Sequence, residues 1–324
     1  MSTKKKQTAK HPHPRAQKQQ HHSPVPKASA MDWVAGARLR TLPLAIAPVA
    51  LGTGIGIFEG GPLAWRPINA VLALLVALCL QIGVNYANDY SDGVRGTDAY
   101  RMGPKRLTGS GAASAGRVRS VAFAFFGLAA LAGLVLVLLT QFWWLLLVGA
   151  LAIAAAWFYT GGKRPYGYVG LGELVVFIFF GLVATVGSAW VQSDVLWSQS
   201  ALIGGAGVGL FACAVLMANN LRDRTQDELV GKRTLSVRIG STGSRILFAL
   251  FMLLPFVAVW ALALVVPAAG IAYFVLLMAL PAAAIVGWAK SAKELLLGLQ
   301  LASLSALSYG IIIGGAFALA GKLF

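Results

Sequence analysis

Long apolar runs alternate with short polar segments along most of the chain. Each run approaches the ~20 residues that a helix needs to cross the hydrocarbon core of a bilayer. This pattern predicts an all-α integral membrane protein with nine transmembrane helices. The expected helices lie near residues 41–58, 68–88, 120–139, 142–160, 170–190, 200–220, 246–266, 268–288 and 297–319.

Composition supports this class, and charge predicts the orientation. Of 324 residues, 58% are hydrophobic and 12% are charged, which is too apolar for a water-soluble globule. Lys and Arg accumulate in cytoplasmic loops, and a cytoplasmic N-terminus leaves only Arg66 and Lys322, of 27 basic residues, on the other side. We therefore expect a multi-pass protein of the cell membrane that contacts anionic lipid headgroups. No base-reading module accompanies the net charge of +16, so we expect no nucleic-acid partner.

The first thirty residues differ from the rest. Residues 1–30 are polar, basic and rich in His and Pro, so they cannot bury a core, and we predict a disordered tail before a transmembrane domain at 31–324. All four histidines lie in this tail. The membrane domain therefore has no imidazole, which excludes His-based general bases, catalytic triads and His-type zinc sites.

Two acidic motifs stand out because the chain has only eleven acidic residues. The pattern C-x5-N-x3-D occurs in both motifs with an offset of 134 residues, which indicates two related halves. Within each motif the polar residues recur at helical spacing, so they share one helix face. The first motif contains Asn85, Asn88, Asp89, Asp92 and Asp98, and the second contains Asn219, Asn220, Asp223 and Asp227.

These motifs have two interpretations. They are either solvated ends of transmembrane helices or a metal site. The predicted topology places both at helix C-termini, where the helix dipole disfavours anions, and like charges at helical spacing repel each other. A divalent cation reverses both penalties. Oxygen ligands without histidine or thiolate suit Mg²⁺, which is often completed by substrate phosphate oxygens.

A Lys-Arg pair follows each motif. Lys105 and Arg106 lie in PKRLTGSG, and Lys232 and Arg233 lie in GKRTLS. Each residue alone also fits a cytoplasmic loop charge. Together with the acids, they indicate a site for a metal-chelated diphosphate at the membrane surface.

From about residue 33 to the C-terminus, the chain resembles the UbiA superfamily of intramembrane aromatic prenyltransferases, and most closely its 1,4-dihydroxy-2-naphthoate branch. The broader superfamily spacing would place the last acid of the first motif at Gly96, whereas this chain has Asp98, as in the naphthoate branch. The segments that carry the resemblance are ARLRTLPLAIAPV at 37–49, GVNYANDYSDGVRGTD at 83–98, GPKRLTGSG at 103–111, YTGGKRPYGYVGLGE at 159–173 and NNLRDRTQDELVGKRTLSVRIG at 219–240.

The resemblance implies a fold and a reaction. Nine helices would surround a central cavity, whose polar end holds Mg²⁺ and a polyprenyl diphosphate. The polyprenyl group would pass to 1,4-dihydroxy-2-naphthoate with loss of CO₂, giving demethylmenaquinone. The implied metal ligands are Asp89, Asp92, Asp98, Asp223 and Asp227, with amide oxygens contributed by the motif asparagines.

Further site residues come from the segment 159–173. Glu173 either orients or deprotonates an acceptor hydroxyl or pairs with a nearby Arg, and both interpretations are open. Lys163 is a candidate for the substrate carboxylate. Tyr159 has two interpretations. Its ring either stabilises the cation that develops on the prenyl donor or stacks on the acceptor, or it is an ordinary tyrosine of the membrane interface.

Two other functions compete with the naphthoate assignment. A transferase for 4-hydroxybenzoate or homogentisate would share the same motifs. A cation or proton transporter also carries intramembrane carboxylates, but it places them near the bilayer midplane, whereas these acids are predicted at helix ends.

Overall fold

The computed structural model describes residues 27–61, 64–97, 106–195 and 197–322. Within these ranges the chain is helical and has no strand, which confirms the all-α prediction. Most of the predicted tail, all four histidines, Asp98 and Lys105 lie outside the described residues. The helices are α1 (Ala30–Gly36), α2 (Pro43–Gly60), α3 (Pro67–Arg95), α4 (Ala115–Thr140), α5 (Leu145–Phe158), α6 (Gly172–Ser193), α7 (Gln199–Leu229), α8 (Leu235–Val265), α9 (Pro267–Trp288) and α10 (Ala292–Ala320).

Eight helices in the described part of the chain are long and apolar enough to cross a membrane, namely α2 to α4 and α6 to α10. The protein is therefore a multi-pass membrane protein. The remaining predicted span, 142–160, corresponds to α5, which has only 14 residues. Because a complete span needs about 20 residues, the count of nine transmembrane helices stays a prediction, as does the cytoplasmic N-terminus.

Both acidic motifs lie on helices rather than beyond them. The predicted helices 68–88 and 200–220 were too short, since α3 continues to Arg95 and α7 to Leu229. Gly96 ends α3 in the left-handed conformation, with φ of 73°. Gly93 lies inside α3, in its last turn. A Cβ on Gly93 would lie 2.5 Å from the Thr108 side chain, so glycine lets the segment after the motif pack closely.

Small residues bring the central helices into close contact. A Cβ on Gly54 of α2 would lie 1.9 Å from the carbonyl oxygen of Gly314 in α10. A Cβ on Gly181 of α6 would lie 2.7 Å from the carbonyl oxygen of Gly205 in α7. Without a hydrophobic driving force between helices in lipid, such backbone approach is a main source of packing energy. Helices α2, α6, α7 and α10 therefore form a tightly packed unit.

An apolar cavity lies beside this unit, and its walls include residues of α3, α4, α5 and α6. Near its middle, α6 contains a π-helical segment, Phe177–Val183. Such segments interrupt the regular hydrogen-bond pattern and occur often at functional sites. Phe179, Phe180 and Val183 from this segment line the cavity described below.

Candidate active site

The two acidic motifs meet at one small polar pocket. Its volume is about 30 Å³, which is on the order of a few water molecules. Residues from both predicted halves of the chain, one group on α3 and one on α7, therefore line the same pocket. The residues that line the pocket are Asn88, Asp92 and Thr97 after or on α3, Asn219, Asn220, Asp223, Gln226 and Asp227 on α7, and Arg38, Arg106, Tyr159, Thr160 and Lys232 from the connecting segments.

A much larger apolar cavity adjoins this pocket. Its volume is about 810 Å³, and its walls come from α1 to α7 with the start of α10. The predicted central cavity is therefore present. A ligand that spans both spaces would have a polar end and a long apolar part. The residues that line both spaces are Arg38, Asn88, Arg106, Tyr159 and Asn219.

Asp89 anchors the segment that follows the first motif. Its carboxylate accepts backbone N–H bonds from Leu107 at 2.9 Å and Thr108 at 2.8 Å. The side chain is buried and lines the apolar cavity, but not the polar pocket. These bonds fix the position of the neighbouring Arg106. The observed partners of Asp89 are thus two backbone amides. Its role as a metal ligand stays a prediction.

Asp92 lines the polar pocket. Its Oδ1 accepts a hydrogen bond from the Tyr168 hydroxyl at 2.7 Å, and its Oδ2 lies 3.2 Å from Nη1 of Arg106. Both ion-pair side chains are buried, with 3% and 8% of their surface exposed. Burial, followed by the Asp92 charge, raises the pKa of the Tyr168 phenol, so Tyr168 stays a hydrogen-bond donor at neutral pH.

The asparagines of the first motif connect α3 to other segments. Asn85 donates to the carbonyl oxygen of Ala37 at 2.9 Å, next to Arg38, which has a φ of 54°. Asn88 accepts from the Thr160 hydroxyl at 2.7 Å. Asn85 therefore holds the N-terminal segment beside the cavity, whereas Asn88 faces the polar pocket.

In the second motif, each acid lies next to a basic residue. Arg222 binds both carboxylate oxygens of Asp223, at 2.8 and 2.7 Å, and the side-chain oxygen of Asn219 at 2.7 Å. Asp227 Oδ1 lies 3.4 Å from Nζ of Lys232. Asp227 Oδ2 is buried without a hydrogen-bond partner among the described residues. Such an oxygen is costly in an apolar protein unless a ligand completes it.

The predicted basic residues separate into two groups. Arg106 and Lys232 line the polar pocket. Arg233 and Lys163 are exposed and line neither space, so the structure does not bring them to the pocket. Arg222 lines the apolar cavity and donates to Asp223 and Asn219 of the polar pocket.

Glu173 is buried, but it lines neither space. Its Oε1 accepts from the Asn220 amide at 3.0 Å, and Asn220 lines the polar pocket. No Arg of the described residues forms an ion pair with Glu173, so the interpretation of an Arg partner, one of the two left open, gains no support, and the observed partner is an amide. Glu173 therefore reaches the pocket through Asn220, and a direct proton transfer to an acceptor stays an untested prediction.

The donor set of the pocket fits Mg²⁺. Among the described residues, no three His, Cys, Asp or Glu side chains lie close enough together to form a metal site. Arg106, Arg222 and Lys232 instead form ion pairs with Asp92, Asp223 and Asp227. These pairs offset the repulsion between the carboxylates, a role that the sequence assigned to a metal. Carboxylate and amide oxygens are nevertheless the ligands that Mg²⁺ prefers. The unpartnered buried oxygen of Asp227 is the place in this set where a cation would bind.

Sequence reasoning missed two contributors. Tyr168 binds Asp92, and Arg95 donates to the carbonyl oxygens of Thr160 and Gly162 while its guanidinium lies 5.3 Å from the centre of the Tyr168 ring. Together they attach the segment after α5 to the end of α3. The signal for Tyr168 was the polar PYGY sequence after an apolar run, which the resemblance carried without assigning it a role.

Solved structures confirm the fold. The apo structure of a UbiA homolog from Aeropyrum pernix K1 superposes with a TM-score of 0.65 at 16% identity, over 86% of this chain and 97% of that chain. A UbiA homolog from Archaeoglobus fulgidus, bound to DMAPP and Mg²⁺, gives a TM-score of 0.62 at 14% identity, over 88% and 99%.

Curated relatives are more similar in sequence. A 1,4-dihydroxy-2-naphthoate octaprenyltransferase from Mycobacterium tuberculosis is 45% identical over 90% of this chain and 98% of its own length. The enzyme of the same name from Escherichia coli is 40% identical over 66% of this chain and 70% of its own length. The model of the UbiA prenyltransferase family matches residues 45–294, and this chain therefore belongs to that family of aromatic prenyltransferases.

Proposed function

We propose that this protein transfers a polyprenyl group from polyprenyl diphosphate to 1,4-dihydroxy-2-naphthoate, with loss of CO₂, and so forms demethylmenaquinone. One observation carries the proposal. The two acidic motifs share a polar pocket that adjoins an apolar cavity of about 810 Å³. The names of the relatives from Mycobacterium tuberculosis and Escherichia coli support the choice of acceptor.

The polar pocket would bind the diphosphate. Arg38, Arg106 and Lys232 line it and carry the positive charge that phosphate oxygens need. Asp92, Asp223 and Asp227 would hold Mg²⁺, with Asn88 and Asn219 as further oxygen donors. When bound, Mg²⁺ neutralises charge that develops on the departing diphosphate.

The apolar cavity would hold the prenyl chain. Burying each CH₂ group stabilises the complex by roughly 0.8 kcal/mol, which explains why a transferase for such a donor lies within a membrane. Tyr159 and Arg106 line both spaces, so the bond between the chain and its diphosphate would lie near them. Exclusion of water from this junction protects the electron-deficient C1 from hydrolysis.

The chemical step would be an electrophilic substitution on the acceptor ring. The C1–O bond breaks, and its electron pair leaves with the diphosphate. The ring carbon that bears the carboxylate forms a new C–C bond to C1, and the carboxylate then leaves this carbon as CO₂, so that the electron pair of the broken C–CO₂ bond returns to the ring and restores aromaticity. The product is released as the quinol form of demethylmenaquinone, so no oxidant is required.

The proposal is tested with protein purified into liposomes. Octaprenyl diphosphate and carboxyl-labelled dihydroxynaphthoate are supplied with Mg²⁺ or with EDTA, and the prenylated product and labelled CO₂ are measured. We expect equal amounts of product and CO₂ with Mg²⁺ and neither with EDTA. Faster turnover of 4-hydroxybenzoate or homogentisate would refute the acceptor assignment. Full turnover in EDTA would refute the metal assignment.

We further propose that the polar pocket faces the cytoplasm of a cell-membrane protein. The distribution of Lys and Arg supports this orientation, and both motifs lie in the last turns of α3 and α7. A membrane-impermeant thiol reagent tests it on single cysteines at Arg117 and Lys322 in intact cells. Labelling of the Lys322 position alone supports the orientation, and labelling of the Arg117 position alone reverses it.

A further inference from the structure

Tyr168 connects the two acidic motifs, although it belongs to neither. It lies in the short 3₁₀ turn Tyr166–Val169 between α5 and α6. Its hydroxyl donates to Oδ1 of Asp92 at 2.7 Å. Its ring faces the Arg95 guanidinium, whose centre is 5.3 Å from the ring centre. Both contacts join the turn to the end of α3.

The same ring also contacts the second motif. Nζ of Lys232 lies 5.0 Å from the centre of the Tyr168 ring and 3.4 Å from Oδ1 of Asp227. The backbone of this region is joined as well, because the amide of Arg233 donates to the carbonyl oxygen of Tyr168 at 2.9 Å. Tyr168 therefore reaches one acid of each motif, Asp92 directly and Asp227 through Lys232.

These contacts divide between two parts of the side chain. The ring packs against two cations, the Arg95 guanidinium and the Lys232 ammonium. The hydroxyl is the part of the side chain that contacts Asp92, by its hydrogen bond to Oδ1. A substitution that removes the oxygen but keeps the ring thus separates general packing from the placement of one carboxylate.

We propose that Tyr168 is a positioning residue, whose hydroxyl fixes Asp92 in the orientation that binds Mg²⁺ together with the second motif. This inference rests on the proposed function, since it assigns a role to Tyr168 within the same metal–diphosphate site. Partners that orient metal ligands typically account for roughly 10–100-fold in metal affinity.

The test compares Tyr168→Phe with Tyr166→Phe. Tyr166 lies in the same turn, but its hydroxyl donates to the backbone oxygen of Ala155 at 2.7 Å rather than to a motif residue. Two readouts are taken in detergent micelles, namely the Mg²⁺ concentration for half-maximal turnover and the Mg²⁺ concentration for half-maximal thermal protection by inorganic diphosphate. We expect Tyr168→Phe to raise both concentrations by about tenfold, and Tyr166→Phe to change neither.

Unchanged Mg²⁺ concentrations in Tyr168→Phe, or an equal rise in Tyr166→Phe, would overturn the inference. Asp227→Asn distinguishes this failure from a failure of the proposed function. If Asp227→Asn loses its Mg²⁺ response while Tyr168→Phe keeps a normal one, the metal site stands and the positioning role of Tyr168 is refuted. If Asp227→Asn responds to Mg²⁺ as the parent protein does, the proposed metal site itself is refuted, and the positioning role falls with it.

Discussion

Asp89 provides a test that separates a structural role from a metal-binding role by the sign of a stability change. Its buried carboxylate accepts two backbone N–H bonds, from Leu107 at 2.9 Å and from Thr108 at 2.8 Å. A hydrogen bond to a charged group contributes about 1.5–3 kcal/mol. In Asp89→Asn the amide oxygen can accept one of these bonds, while the amide nitrogen faces the other donor. We therefore expect a loss of about 1.5–3 kcal/mol in the free energy of unfolding.

The measurement is reversible unfolding of purified protein in mixed micelles with EDTA, so that no metal contributes. Asp227→Asn is the matched control, because Asp227 has one buried oxygen without a partner in the described part of the chain, and its other oxygen forms an ion pair with Lys232. Asp227→Asn removes the cost of burying a charge, but it also loses the ion pair with Lys232. We therefore expect a net change in the free energy of unfolding under about 1 kcal/mol.

If Asp89 acted only as a metal ligand within a cluster of like charges, Asp89→Asn would be at least as stable as the parent protein in EDTA. A change within about 0.5 kcal/mol of zero would therefore refute the anchoring role. The anchoring role also predicts a raised KM for the prenyl donor, because the segment that Asp89 holds includes Arg106, which lines the polar pocket.

Three further outcomes follow from the same contacts. Gly314→Ala should destabilise the protein by about 2 kcal/mol or more, because its Cβ would lie 2.4 Å from a backbone oxygen of α2. Gly315→Ala should be neutral, because its Cβ would meet open space. Equal yields of folded protein from Gly314→Ala and Gly315→Ala would contradict this contrast. Glu173→Gln should keep most of the turnover, since an amide oxygen also accepts the hydrogen bond, and a fall of more than about 100-fold in kcat with a flattened pH profile would instead support a general base. Asp194→Asn should cost under about 1 kcal/mol at pH 7, because the pair is largely exposed. Its partner Arg66 lowers the pKa of the Asp194 carboxyl below its ordinary value of 3.8. The stability difference between Asp194→Asn and the parent protein is therefore complete above that ordinary value, and it disappears as the pH falls through the lowered pKa. A difference that grows in acid would contradict this assignment.

The fold class was predictable because membrane helices leave a simple signal. Apolar runs of sufficient length must be helical, since lipid offers no partners to the backbone. Five of the nine predicted spans match helices of membrane-spanning length to within about five residues at each end, whereas α8 begins at Leu235 rather than near residue 246, and α5 is too short to be identified as a complete span. The ends of α3 and α7 were misplaced because polar motif residues continue a helix that hydropathy alone would end.

The composition of the pocket was partly predictable. The matched spacing of Asn85 with Asp89 and of Asn219 with Asp223 indicated two halves of one site, and Asp92, Asp223 and Asp227 do share a pocket. The partners of the carboxylates were not predictable. They depend on how the segment from Arg106 onward and the 3₁₀ turn at Tyr166–Val169 fold back onto the helix ends.

The electrostatic argument from sequence was therefore incomplete. Dipole and repulsion penalties favoured a cation at the motifs, and the structure offsets part of those penalties with Arg106, Arg222 and Lys232. The same basic residues suit a diphosphate ligand. A substrate that brings its own Mg²⁺ would meet both signs of charge in one pocket, which fits a site that binds the metal and the diphosphate together.

The central claim is that both motifs bind one metal–diphosphate unit. Anomalous diffraction from crystals grown with Mn²⁺ and inorganic diphosphate tests it most directly, because it locates the metal independently of turnover. We predict an anomalous peak within ligand distance of Asp92 on α3 and of Asp227 on α7, with the diphosphate beside Arg106. A peak coordinated by one motif alone, or no peak in the pocket at saturating Mn²⁺ and diphosphate, would contradict the account.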